Sequence, residues 1–345
     1  MKIQTKRATA LAALTLSAAM VLTACGGGSD SGSGSGGEGG GGATTVTFLP
    51  KNLGNPYFEA SDAGGKKAVE EFGGTFDEVG PQEATPDAQV QYINTVAQQG
   101  INALVLSAND PTAIGDALEE ARSAGTKVVT FDSDTEPQFR DVFVNQASAE
   151  GIAKSQVDLI AEQIGDEGKV AILSAAANAT NQNTWIELMK KDLAANHPNI
   201  ELVDTVYGND DDQESFDKTA ALLQSNPDLK GIISPTTVGI AAAARYLSDS
   251  DFKGKVQLTG LGTPNQMREY VKDGTVKGFA LWNPEELGYL AAFTAQALVD
   301  GTITGKEGDK FTAGDLGDYT VEADGVVVLG EPTVFNADNI DDFDF

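Results

Sequence analysis

The chain has 345 residues with 23 Lys+Arg, 51 Asp+Glu, one His and one Cys, a formal net charge of −28. That balance repels phosphate backbones and anionic head groups, which argues against nucleic-acid binding and against membrane attachment by charge alone. One Cys and one His exclude an intramolecular disulfide framework and any Cys- or His-based metal cluster.

The first 24 residues read as a targeting segment. Lys2, Lys6 and Arg7 form a basic stretch, Ala8 to Val21 is apolar, and Leu22-Thr23-Ala24-Cys25-Gly26 follows. The apolar run is shorter than the ~20 residues that span a bilayer, so a cleaved lipoprotein signal is expected, with the Cys25 thiol carrying the lipid. Residues 25–42 are then the lipidated Cys and a tether: of the seventeen residues Gly26 to Gly42, fifteen are Gly or Ser. Such a leash has a random-coil reach of about 20–25 Å.

From Thr45 onward short β-branched runs alternate with amphipathic stretches. Strands are expected at 46–49, 75–79, 103–106 and 127–131, with helices at 57–72, 87–99 and 111–124 between them. Ala103-Leu104-Val105-Leu106 is apolar on both faces, as in a parallel sheet covered on both sides. The rhythm then restarts. Helices are expected at 149–164, 184–195, 213–225, 239–248 and 285–299, and strands at 169–174, 202–206, 231–234, 256–261 and 276–282. The predicted fold is α/β, with two similar doubly wound parallel-sheet lobes joined by a multi-stranded hinge. Lobe 1 is expected to hold 43–142 with about 264–282 and part of the C-terminal segment. Lobe 2 is expected to hold 143–263 with about 283–308, and 309–345 to pack across both.

In open α/β sheets ligands bind beyond the carboxyl ends of the strands, so the residues there are informative. They are Pro50 to Phe58, Ser107-Ala108-Asn109-Asp110 and Asp132-Ser133-Asp134 in the first series. In the second they are Ala179 to Asn183, Pro235-Thr236-Thr237, Gly262 to Asn265 and Trp282-Asn283. Amides and carboxylates pair with adjacent hydroxyls, while rings cover apolar C–H faces, so the inventory has the character of a polyol site. Many such residues are simply helix caps, and Asp87, Asp110 and Asp211 are read that way. Lys51 and Trp282 are not usual cap residues. No G-x-S-x-G or phosphate-loop motif occurs and no G-x-G-x-x-G follows the first strand, so neither an enzyme nor a cofactor is expected. His197 reads as a solvated structural residue. Asp210 to Glu214 lacks the Gly and distal Glu of a calcium loop and reads as a helix start.

Several longer stretches carry a resemblance: PKNLGNPYF (50–58), TFDSDTEP (130–137), TNQNTW (180–185), ISPTTVGIAAAA (233–244), GLGTPNQM (260–267), LWNPEELGY (281–289) and VFNADNIDDFDF (334–345). On these the chain resembles type I periplasmic-type sugar-binding lipoproteins of ABC importers, in the rhamnose-binding and autoinducer-2-binding branch. The resemblance implies a monomer that binds a monosaccharide between its lobes, closes, and delivers it to a membrane permease with a cytoplasmic ATPase. Autoinducer-2 receptors of that group match here at Lys51, Asp132, Gln182 and Pro235. Asn181 and Thr237 depart from their Asp and Ala, which points to the sugar-binding relatives and to L-rhamnose. Lys51, Asn52, Asn55, Asn109, Asp132, Asn181 and Gln182 are the expected polar contacts, with Phe58, Phe131, Pro235, Thr237 and Trp282 completing the expected site.

Overall fold

The computed structural model describes residues 43–345; the signal, Cys25 and the tether lie outside the described residues. The elements in chain order are β1 (Thr45–Leu49), α1 (Pro56–Glu71), β2 (Thr75–Glu78), α2 (Pro86–Gln99), β3 (Ala103–Leu106), α3 (Gly115–Ser123), β4 (Lys127–Phe131) and β5 (Val142–Asn145). They continue with α4 (Ala149–Ile164), β6 (Gly168–Ser174), α5 (Thr180–Asn196), β7 (Ile200–Tyr207), α6 (Asp212–Ser225), β8 (Leu229–Ser234), α7 (Thr237–Ser248) and β9 (Gln257–Gly260). Then come α8 (Pro264–Lys272), β10 (Gly278–Leu281), α9 (Pro284–Val299), β11 (Lys310–Thr312), β12 (Asp318–Thr320), β13 (Val326–Val328) and β14 (Thr333–Asn336).

Lobe 1 is built on a parallel six-stranded sheet in the order β13-β5-β4-β3-β1-β2. Lobe 2 is built on parallel strands β7-β6-β8-β9. A parallel bridge from Leu261 to Ala280 attaches β10 to that sheet, and β14 pairs antiparallel with β10. Strands buried on both faces, such as β3, need helices above and below, and α1, α9, α2 and α3 supply them in lobe 1. The chain passes between lobes after β5, after β10 and after β13. This is the expected α/β architecture of two doubly wound lobes.

Two segments lie opposite to their expected lobes. Residues 264–282 belong with lobe 2, because α8 packs on α7 and β10 extends the second sheet. Helix α9 belongs with lobe 1, because it packs along α1 and against β3, β4 and β5. The reason is steric. A Cβ on Gly64 would lie 1.9 Å from the Glu285 carbonyl oxygen, and one on Gly288 1.7 Å from that of Ser61. Glycine on both helices therefore permits a backbone approach that no other residue allows. The C-terminal segment runs from lobe 1 at β13 to lobe 2 at β14, where Phe335 meets Phe343 and Phe345 with ring centroids 4.8 and 6.1 Å away.

Local details also shift. Helix α3 starts at Gly115 rather than Pro111, because the Asp110 carboxylate accepts from the Thr112 and Ala113 amides and holds a turn there. Asp87 lies inside α2, whose cap is Thr85. Asp211 does cap α6, accepting from the Glu214 amide at 2.7 Å. Helix α5 begins at Thr180, four residues before the expected Thr184, which places Asn181 and Gln182 in its first turn.

Asp62 on α1 is buried, and its Oδ2 has no hydrogen-bond partner. Burial, then the charge of Glu78, holds its carboxyl well above the ordinary value. A raised folded-state pKa costs stability as pH rises above the unfolded value of about 4. Asp62→Asn should therefore raise the melting temperature by a few degrees at neutral pH and lose that advantage near pH 4. Equal melting curves at neutral pH would contradict this.

Candidate functional site

The strand ends of both sheets converge on one cavity between the lobes, lined by a mixture of polar and aromatic side chains, as small-molecule sites are. Lobe 1 contributes the loop after β1, where Pro56 opens α1 and the Asn55 side chain caps it by accepting from the Tyr57 amide. This turn presents Lys51, Asn55, Tyr57 and Phe58 to the cavity. Asp132, just past β4, has φ 60°, a left-handed backbone conformation uncommon for non-glycine residues. Such a conformation must be held by its surroundings. Ser107 donates to its Oδ2 at 2.7 Å.

Lobe 2 contributes Asn181, Gln182 and Trp185 from α5, Asp210 from the loop after β7, and Pro235, Thr236 and Thr237 at the start of α7. Leu261, Leu281 and Trp282 complete the wall near the crossovers. The polar groups meet across the cleft. Lys51 Nζ donates to Asn181 Oδ1 at 3.1 Å and lies 3.7 Å from Asp132 Oδ2. Asn181 Nδ2 reaches Asp132 Oδ1 at 3.3 Å. Lys51 and Asp132 are each only 5% exposed, so this charge pair is desolvated and depends on its neighbours for hydrogen bonds. Gln182 Oε1 is buried without a partner, an acceptor left available to a donor in the cavity.

Aromatic rings line the cavity beside these polar groups. Trp282 Nε1 donates to the Tyr57 hydroxyl at 2.9 Å, which fixes the indole on the crossover between β10 and α9. Tyr57 and Trp185 each stand edge-on to Trp282 with centroids 6.1 Å away, and Phe58 stands edge-on to Tyr57. Burial, with the Asp132 charge nearby, pushes the Tyr57 phenol well above its ordinary pKa, so the hydroxyl stays protonated.

Nine of the twelve expected contact residues line this cavity: Lys51, Asn55, Phe58, Asp132, Asn181, Gln182, Pro235, Thr237 and Trp282. Three do not. Asn109 stands behind the wall, donating from Nδ2 to the Lys51 carbonyl at 3.0 Å, so it holds the loop that carries Lys51. Phe131 is fully buried behind the cavity wall, packed against Phe48 and against Phe58, which lines the cavity. Asn52 lines an outer groove with Asn178, Asp210 and Glu214. Tyr57, Trp185, Asp210 and Thr236 were missed. Asp210 follows a strand end, so the rule that found the others applied to it, and the reading of 210–214 as a helix start obscured it. His197 closes α5, its Nδ1 2.6 Å from Asp166, away from the cavity.

Comparison with known proteins agrees with this geometry. The periplasmic binding protein domain matches residues 46–303. A sugar ABC transporter structure from Actinomyces odontolyticus is 55% identical, covers 88% of this chain and 98% of its own, and superposes with a TM-score of 0.71. An ABC transporter solute binding protein from Clostridium phytofermentas with bound L-rhamnose is 39% identical, with 87% and 98% covered and a TM-score of 0.84. LsrB from Clostridium saccharobutylicum in complex with AI-2 is 29% identical, with 88% and 100% covered and a TM-score of 0.84. With its two parallel-sheet lobes and interlobe cavity, this chain belongs to the periplasmic binding protein family, among the substrate-binding proteins of sugar ABC transporters.

Proposed function

We propose that the cleft binds a monosaccharide, L-rhamnose, and hands it to a membrane permease. The observation that carries this reading is that charged and amide groups line one interlobe cavity together with aromatic rings, each set drawn from both lobes. Lys51, Asp132, Asn181 and Gln182 present charged and amide groups that pair with vicinal hydroxyls. Tyr57, Phe58, Trp185 and Trp282 suit the apolar ring face and the methyl group of a 6-deoxy sugar. The solved relative with bound L-rhamnose supports the choice of sugar. Hydroxyls entering the cleft replace the direct Lys51–Asn181 and Asn181–Asp132 contacts with bridged ones, so the ligand favours the closed arrangement by its differential affinity. The chemistry is capture and release, without bond making.

Titration calorimetry with L-rhamnose should show one-to-one binding at micromolar affinity or tighter. No heat with L-rhamnose but tight binding of ribose or xylose would reassign the sugar. A second reading, autoinducer-2, is supported by the Lys51–Asp132 pair and by the relative solved with that ligand; binding of AI-2 in preference to rhamnose would favour it.

No helix among the described residues is long and apolar enough to cross a membrane. In our reading the protein is a monomer held outside the cytoplasm by lipid on Cys25. Cys25→Ser should shift it from the membrane fraction to the soluble fraction, and retention in the membrane would refute the anchor.

A further inference from the structure

We infer that Asp210 is a specificity-determining residue of the cleft, accepting a ligand hydroxyl from the lobe 2 side and excluding anionic sugars. This rests on the reading of the cleft as a monosaccharide site. Asp210 is the one residue that lines both the inner cavity and the outer groove, so it stands at the threshold between them. Asn209 and Asp210 have φ of 54° and 53°, two consecutive non-glycine residues in the left-handed region. That arrangement is costly and must be held by neighbours. The Gly208 and Asn209 amides, bonded to the Ser174 and Ala175 carbonyls at 2.9 and 3.1 Å, tie the turn to the end of β6.

The turn does not need the Asp210 carboxylate for itself, because Asp211 is the residue that caps α6. Thr236 donates its hydroxyl to Asp210 Oδ1. No hydrogen bond among the described residues reaches Oδ2, which leaves it to a ligand donor. Among the lining residues Lys51 is the only cation, and its charge faces Asp132 at 3.7 Å. A second carboxylate therefore makes the cavity net negative. Burial pushes the Asp210 carboxyl up, opposed by the Thr236 hydroxyl and Lys51. A hydroxyl donor relieves that cost, whereas a carboxylate or phosphate ligand aggravates it. Approach through the outer groove passes Glu83, Asp211 and Glu214, which adds like charge along the way.

The test is calorimetric titration of wild type and Asp210→Asn with L-rhamnose, followed by displacement with D-galacturonate. Asn keeps the shape and tolerates a left-handed backbone, so the ligand-free melting temperature should stay near that of wild type. Asp210→Asn should weaken L-rhamnose binding roughly tenfold to a hundredfold and narrow the discrimination against galacturonate. Thr236→Val, which frees the carboxylate from its orienting hydroxyl, should weaken binding a few-fold. Rhamnose affinity within about twofold of wild type, or unchanged discrimination, overturns the proposal. So does a loss of melting temperature with discrimination intact, because that marks a purely structural turn. Failure of wild type to bind any neutral monosaccharide would instead overturn the underlying reading.

Discussion

Asp132→Ala is expected to weaken sugar binding severely while leaving the ligand-free fold close to its original stability. The carboxylate is the hub of the polar groups: Ser107 donates to it, Asn181 reaches it from the other lobe, and Lys51 lies beside it. Its removal deletes an acceptor and leaves the 5%-exposed Lys51 ammonium without its counter-charge. Lys51 keeps the Asn181 Oδ1 acceptor, and each charged hydrogen bond lost between the carboxylate and the sugar is worth about 1.5–3 kcal/mol. Two such bonds correspond to a loss of roughly a hundredfold to ten-thousandfold in affinity. Stability should fall only modestly, because alanine adds some left-handed backbone strain but the vacated space opens onto the cavity rather than the core. Calorimetry and a thermal melt on one preparation check both halves. Binding within tenfold of wild type would remove Asp132 from the site, and a collapsed melt would make it structural.

Gly288→Ala should produce the largest loss of stability from a single methyl group. Its Cβ would lie 1.7 Å from the Ser61 carbonyl oxygen and 3.1 Å from the Gly65 nitrogen, and backbone cannot rotate away as a side chain can. Helices α1 and α9 must separate, which opens gaps along an interface that also covers β3 and β4. Overpacking typically costs about 1–3 kcal/mol and more where backbone is displaced, so a fall in melting temperature on the order of 10 °C is expected. Gly330→Ala is the control, since nothing lies within 4 Å of a Cβ there. If the two variants melt alike, the close approach of α1 and α9 is not limiting. Because α1 also carries Tyr57 and Phe58, Gly288→Ala should weaken binding as well.

Much of this protein was legible because parallel α/β architecture writes itself locally. Val46 to Leu49, Ala103 to Leu106 and Lys127 to Phe131 are β-branched or apolar runs too short for helices, and each is a strand. Asn55-Pro56 and Asn283-Pro284 are cap-and-proline pairs that start α1 and α9 where expected to within a residue. The rule that strand ends line the cleft located Lys51, Asp132, Pro235 and Trp282 without reference to the fold in detail.

What the local pattern could not decide was which face a residue takes and which lobe a segment joins. Phe131 and Asp132 are neighbours in sequence, yet Phe131 ends β4 in the core while the left-handed turn at Asp132 lines the cavity. Tyr57 and Trp185 read as ordinary helix residues until the first turns of α1 and α5 are seen to face each other across the cleft. Asp210 looked like one of several acids before a helix, and only the turn after β7 separates it from the capping Asp211. Helix α9 is apolar on nearly every side, so its pattern would suit either sheet. The glycines that let it meet α1 decided for lobe 1, because close approach is a property of two surfaces at once. Composition, charge and the succession of strands and helices along the chain thus belong to the sequence by itself, since each is read from residues near one another in the chain. The site belongs to the tertiary structure, since its Lys51–Asn181 contact joins residues 130 positions apart.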